Sequence, residues 1–108
     1  MNLARFDPAR ATPFEGGDRA QSSSGVENNG AAARILQLER RGETGRREAP
    51  YPVVVVIVAG EGQVRVGGEI ADVAAGDAVV VPPNTMYRVW TTSGPMTVAL
   101  IECKQPGA

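Results

Sequence analysis

The sequence predicts an all-β domain, an antiparallel sandwich or barrel, on three observations. Short β-branched and aliphatic runs recur from Arg34 onward at the spacing of sandwich and barrel strands. Glycine turns cut those runs at Gly60-Glu61-Gly62, Gly67-Gly68 and Gly76-Asp77. No stretch keeps a helical hydrophobic period beyond two turns. A chain of 108 residues is long enough for one core and too short for two, so one domain is expected.

Residues 1–31 carry Pro8, Pro13, Gly16-Gly17, Ser22-Ser23-Ser24-Gly25 and Asn28-Asn29-Gly30, with few large apolar side chains. That composition predicts an extended or irregular N-terminal arm, anchored by Phe6 and Phe14, ahead of a β body over 32–104 and a tail over 105–108. Ile35, Leu36 and Leu38 mark the first strand of the body. The second, Val53 to Val58, is six β-branched residues with no polar alternation, so both its faces should be covered, one by the interior and the other by the arm or a partner subunit. Strands at 63–66, 69–73, 78–81, 86–91 and 97–102 follow. Gly60-Glu61-Gly62 should close a tight hairpin, Gly67-Gly68 a two-residue turn of the primed type, and consecutive strands should pair antiparallel. Trp90 is out of phase with Tyr87 on its strand, so an inward Tyr87 leaves Trp90 outward, as at an interface.

The stretch Gly76-Asp77-Ala78-Val79-Val80-Val81-Pro82-Pro83-Asn84-Thr85-Met86-Tyr87-Arg88-Val89-Trp90-Thr91 is the most informative in the chain. It resembles the second conserved motif of the cupin family, Gly-x5-Pro-x-Gly-x2-His-x3-Asn. Gly76, Asp77 and Pro82 match; Asn84 stands for the second glycine, Tyr87 for the histidine and Thr91 for the asparagine. Asparagine tolerates the left-handed backbone that such a corner needs. Gly60 corresponds to the closing glycine of the family's first motif, Gly-x5-His-x-His-x3 or x4-Glu-x6-Gly, and Gly42 loosely to its opening one. Val53 then takes the glutamate's place, and the two histidine positions fall at Arg47 and Ala49 or at Arg46 and Glu48, depending on the spacing. The resemblance covers residues 34–103 and implies a jelly-roll barrel, the double-stranded β-helix. It also implies that the family's metal, held by three histidines and a carboxylate, has lost its ligands. The chain contains no histidine at all. No metal and no cofactor are expected.

Composition and motifs exclude several function classes. Eleven basic against twelve acidic residues leave a net charge of −1 and no basic stripe, so no nucleic-acid partner is expected. The longest apolar run, Val53 to Ala59, is far short of the roughly 20 residues that span a bilayer, and no signal-peptide pattern opens the sequence, so a soluble, cytoplasmic protein is expected. Cys103 is the single cysteine, which fits a reducing compartment. Without histidine, neither Ser22 to Ser24 nor Cys103 has the partner of a conventional triad. Lys104 reads as a solvated charge, and no phosphate-binding glycine loop is present. Glu48 is the best-placed carboxylate for proton transfer near the barrel mouth.

The resulting expectation is a non-enzymatic small-molecule-binding or interaction module, with more apolar surface than a monomer exposes and so a homodimer. Its barrel would be walled by Val53, Val55, Ile57, Tyr87 and Val89, with Arg47 and Tyr51 as polar contacts at the mouth for an apolar or anionic ligand. The arginines also have a plainer reading as a solvated, ion-paired loop. Alternatives are a metal-independent isomerase, epimerase or cyclase using Tyr87 and an acidic residue, and a ligand-sensing partner of a regulator.

Overall fold

The computed structural model describes residues 10–23, 25–28 and 30–104; Phe6 and the tail over 105–108 lie outside them. Its strands are β1 (Thr12–Pro13), β2 (Asp18–Ser22), β3 (Val26–Asn28), β4 (Ala31–Glu43), β5 (Arg47–Ala49), β6 (Val53–Ala59), β7 (Glu61–Val66), β8 (Glu69–Ala74), β9 (Ala78–Val81), β10 (Thr85–Trp90) and β11 (Met96–Cys103). Among the described residues there is no α-helix. The strands join in one sheet, β8-β7-β10-β4-β11-β6-β9, with every pair antiparallel. The sheet curls into a jelly roll whose two halves, β8-β7-β10 and β4-β11-β6-β9, meet where Trp90 pairs with Glu43. All seven strands expected in the body are present.

Strict alternation builds the core. Val53, Val55 and Ile57 on β6, Val98 and Leu100 on β11, Leu36 and Leu38 on β4 and Val89 on β10 are each at most 1% exposed and point into one cluster. Buried threonine hydroxyls are matched: Thr44 Oγ1 accepts the Val89 amide at 3.1 Å and donates to the Gly45 carbonyl at 2.9 Å. Thr91, at the position of the motif's terminal asparagine, donates to the carbonyls of Glu61 and Gly94 at 3.0 and 2.8 Å. Asp77 accepts the Ala74 amide at 2.8 Å and so closes the turn into β9. Asn84 has φ of 58°, the left-handed value expected at the Pro-Pro-Asn corner.

Three expectations need correction. Gly60 has φ of 82°, yet Gly60-Glu61-Gly62 closes no hairpin: both edges of β6 are taken, by β11 and β9, and the turn carries the chain from one half of the roll to the other. Of the predicted consecutive pairings only β7 and β8 form a tight hairpin, with positive φ at Gly67 (58°) but not at Gly68, as in a type II′ turn. The described part of the N-terminal region is extended, and it is joined to the sheet. It supplies β1, β2 and β3, of which β2 and β3 pair along one edge of β4 while β11 takes the other. Phe14, 3% exposed, anchors it in the core. This region therefore extends the sheet and does not lie over the outer face of β6, where Val54 and Val56 are half-buried and Val58 is 52% exposed.

Candidate functional site

Alternation that places leucines and valines in the core also carries two charges inward. Arg34 shares the inner face of β4 with Leu36 and Leu38, and Glu102 shares that of β11 with Val98 and Leu100. Because Arg34 pairs with Leu100 across the sheet, the two charged side chains are diagonal neighbours. Arg34 Nη2 lies 3.1 Å from Glu102 Oε1, and the Tyr51 hydroxyl donates to Glu102 Oε2 at 2.7 Å. Glu102 is 8% exposed. Arg34 Nε is buried and has no hydrogen-bond partner among the described residues.

A second arginine faces the same space. Arg47 is the register partner of Tyr87, and its guanidinium lies 4.2 Å from the centre of the Phe14 ring. The Arg34 guanidinium is 5.2 Å from the same ring centre. Arg47 also donates to the carbonyl of Glu15. Among the described residues it forms no ion pair. Together Arg34, Arg47, Tyr51 and Glu102 border an open cleft of about 460 Å³, rimmed by the Lys104–Glu27 pair at 2.9 Å. Its lining carries three cations and two carboxylates.

Both tyrosines are held protonated. The Tyr51 hydroxyl is pushed above its ordinary pKa of 10.0 chiefly by its hydrogen bond to Glu102, then by burial. Tyr87 is raised by burial, against which the Arg47 charge acts. At neutral pH they are hydrogen-bonding phenols and not phenolate bases.

The structure decides between the two spacings of the first motif. Arg47 and Ala49 turn toward the interior, whereas Arg46 and Glu48 are exposed on the opposite face. Glu48, expected as the carboxylate for proton transfer, is thus excluded from the interior by strand alternation. Arg47 and Tyr51 border the cleft. Val53, Val55, Ile57 and Val89 are packed core, with Tyr87 among them at 5% exposure. Arg34 and Glu102 were missed by sequence reasoning, although the period of 2 along β4 and β11 signals both.

The four positions where the family holds its metal are Arg47, Ala49, Val53 and Tyr87. This set does not fit a metal: one is a cation, two are aliphatic, and the fourth is a phenol of raised pKa. Among the described residues no three His, Cys, Asp or Glu side chains converge. A second cleft of about 480 Å³, bordered by Arg46, Arg65, Met86 and Arg88, lies against the outer side chains of β10. There Arg88 is paired with Glu43 at 2.9 and 3.0 Å, and Arg65 donates to the Gly67 carbonyl at 3.0 Å. Trp90, half-buried beside them, stacks under Arg88 at 4.6 Å and donates to Gln63 at 3.1 Å.

Among solved structures, a cupin 2 conserved barrel domain protein from Rhodopseudomonas palustris superposes with a TM-score of 0.79 at 19% identity, over 99% of this chain and 83% of that one. KdgF from Halomonas sp. does so with a TM-score of 0.83 at 17% identity, over 97% and 96% of the two chains. The plu4264 protein from Photorhabdus luminescens gives 0.79 at 14% identity, over 94% and 88%. At these identities the likeness establishes the fold alone. No functionally curated protein matches the sequence. The family model described as "Cupin domain" matches residues 35–102, more than half of the chain, and with the jelly roll above it shows that this protein belongs to the cupin family.

Proposed function

We propose that the protein is a metal-independent, non-enzymatic cupin that binds a small molecule in the cleft formed by Arg34, Arg47, Tyr51 and Glu102. The observation that carries this reading is an open cleft lined by three cations and two carboxylates, in which Arg47 has no ion pair among the described residues. An arginine without a carboxylate partner at the wall of an open cleft is a ready site for an acceptor group of a small molecule. The raised tyrosines favour binding over proton abstraction, because a catalytic base needs a group able to take a proton near neutral pH. Thermal-shift screening of the full chain against sugars, amines, carboxylates and aromatic acids tests it, since a ligand of the folded state raises the melting temperature. A stabilising compound whose effect is lost in Arg47→Ala is expected. A complete absence of stabilising compounds refutes the reading.

The outer face of β4, β11, β6 and β9 supports a homodimer as the working form. Ala99 pairs with Ile35 on one side and Val56 on the other, and Ile101 with Ala33 and Val54. Val80, paired with Val54, is 65% exposed. These residues form an uncharged apolar surface on which none of the described strands packs, and a second copy would bury it. Among the described residues no helix is long and apolar enough to cross a membrane. With Cys103 as the single, unpaired cysteine, a reducing cytoplasm is the proposed location.

A further inference from the structure

We infer that the ligand of this cleft is a small organic monocarboxylate, a conclusion that rests on the binding reading above and assigns its chemical class. The cleft is one anion short. Among the described lining residues two carboxylates face three cations: Glu102 is paired with Arg34, and Glu27 with Lys104 at the rim. Arg34 commits Nη2 to Glu102, and its buried Nε has no partner among the described residues. Arg47 meets the Glu15 carbonyl, the face of Phe14 and the Tyr87 hydroxyl, none of them an anion, and among the described residues it has no carboxylate partner. Two like charges against one aromatic ring repel each other, and a single negative charge placed between them relieves that repulsion.

Chemistry of the donors selects the form of the anion. A guanidinium offers parallel N–H groups in a plane, which match the two oxygens of a carboxylate. A dianion would supply more negative charge than the site lacks and would face the carboxylate of Glu102. Phosphate and dicarboxylates should therefore bind more weakly than monocarboxylates. The organic remainder has room: about 460 Å³ falls within the range of small-molecule sites, and Ala32 and Ala33 supply apolar lining.

The test uses the full chain at constant ionic strength and pH 7.5, with calorimetry and melting curves. Probes are acetate, lactate, pyruvate and benzoate, their neutral amides, malonate, succinate, inorganic phosphate and sulfate, glucose and ethanolamine. At least one monocarboxylate should bind one per chain, and its amide should lose at least about tenfold in affinity. Arg47→Gln and Arg34→Gln should each lose a similar factor, whereas Arg46→Gln, on the opposite face, should leave affinity unchanged. If Arg34→Gln does not fold, Arg47→Gln alone carries the comparison, since Arg47 makes no ion pair within the described protein. Binding of an amide, sugar or amine as tight as any monocarboxylate overturns the inference and leaves the binding reading standing. Tighter binding of phosphate, sulfate or a dicarboxylate overturns it in the same way. Failure of every probe class removes the inference and the binding reading together.

Discussion

Glu102→Gln isolates the charge at the centre of the site while keeping its shape. In the native protein both carboxylate oxygens are used, one by Arg34 at 3.1 Å and the other by the Tyr51 hydroxyl at 2.7 Å. Breaking a fully buried ion pair by removing one partner costs about 3–5 kcal/mol. Here the Glu102 side chain is 11% exposed but that of Arg34 is 32% exposed, so water takes over part of the stranded charge. The glutamine carbonyl also keeps one acceptor. A loss of about 2 kcal/mol follows. With an unfolding entropy of about 2.1 cal/mol/K per residue over 108 residues, that lowers the melting temperature by about 9 °C. Urea unfolding and thermal melts at pH 7.5 measure it. Tyr51→Phe should cost about 1 kcal/mol, and because both variants break the same hydrogen bond, the double variant should cost less than their sum by about 0.5–1 kcal/mol. A loss below about 0.5 kcal/mol for Glu102→Gln, or strict additivity with Tyr51→Phe, would refute the coupled, desolvated cluster.

Stability should fall as pH rises above about 10. Tyr51 and Tyr87 have folded pKa values above the ordinary 10.0, so between the two values the unfolded chain binds fewer protons; their contribution is complete below pH 10 and is lost through the folded values. They are the chain's only tyrosines, so ultraviolet titration of tyrosinate reads them directly, and ionisation of the folded protein at the ordinary value would contradict the assignment. Gly45→Ala should cost about 3 kcal/mol or abolish folding, because Gly45 has φ of 76° and an added Cβ would run into the backbone of Gly16. Gly68→Ala, with no described atom within 4 Å of its Cβ position and no positive φ, should change denaturant midpoints by less than about 0.5 kcal/mol; similar losses for the two would contradict the close approach. Val56→Lys should convert a dimer of 11.3 kDa chains to monomer in light scattering, and a wild type that is monomeric at high concentration removes the dimer altogether. Elemental analysis of dialysed, tag-free protein should find no stoichiometric iron, manganese, nickel or zinc.

Strand content was legible because β-branched runs and glycine punctuation encode it locally. Seven of the eight strands of the body were located, as was the left-handed corner at Asn84; the short β5 was missed, and β4 runs beyond the apolar residues that marked it. Pairing was not legible. Gly60-Glu61-Gly62 has the chemistry of a hairpin, and only the occupation of both edges of β6 shows that it is a crossover. The same holds for β2, whose polar run Asp18–Ser22 resembles a linker until its register with β4 is known. Its buried residues, Ala20 and Ser22, are too small to leave a hydrophobic pattern.

The candidate site shows why residue-by-residue comparison with a family motif captures some functional residues and passes over others. The motif led to Arg47, which stands at a position where the family keeps a ligand, and through the barrel-mouth argument to Tyr51, which lies between two of them in sequence. Arg34 and Glu102 lie far from those positions in sequence, at the start of β4 and near the end of β11. Charged residues near strand ends read as solvent-facing, so composition argues against them even where alternation argues for them. Arg34-x-Leu36-x-Leu38 and Val98-x-Leu100-x-Glu102 each put a charge in phase with core residues. A single inward charge predicts a costly error, but opposite charges on two strands predict a pair. What the sequence lacks is the pairing of β4 with β11, which sets Arg34 across from Leu100 and so beside Glu102. Phe14 adds to this: a lone aromatic in a glycine-rich segment becomes, once β2 docks on β4, the surface against which both guanidinium groups rest. The charge imbalance that the ligand inference depends on is therefore a property of register, carried by residues that are individually unremarkable in the chain.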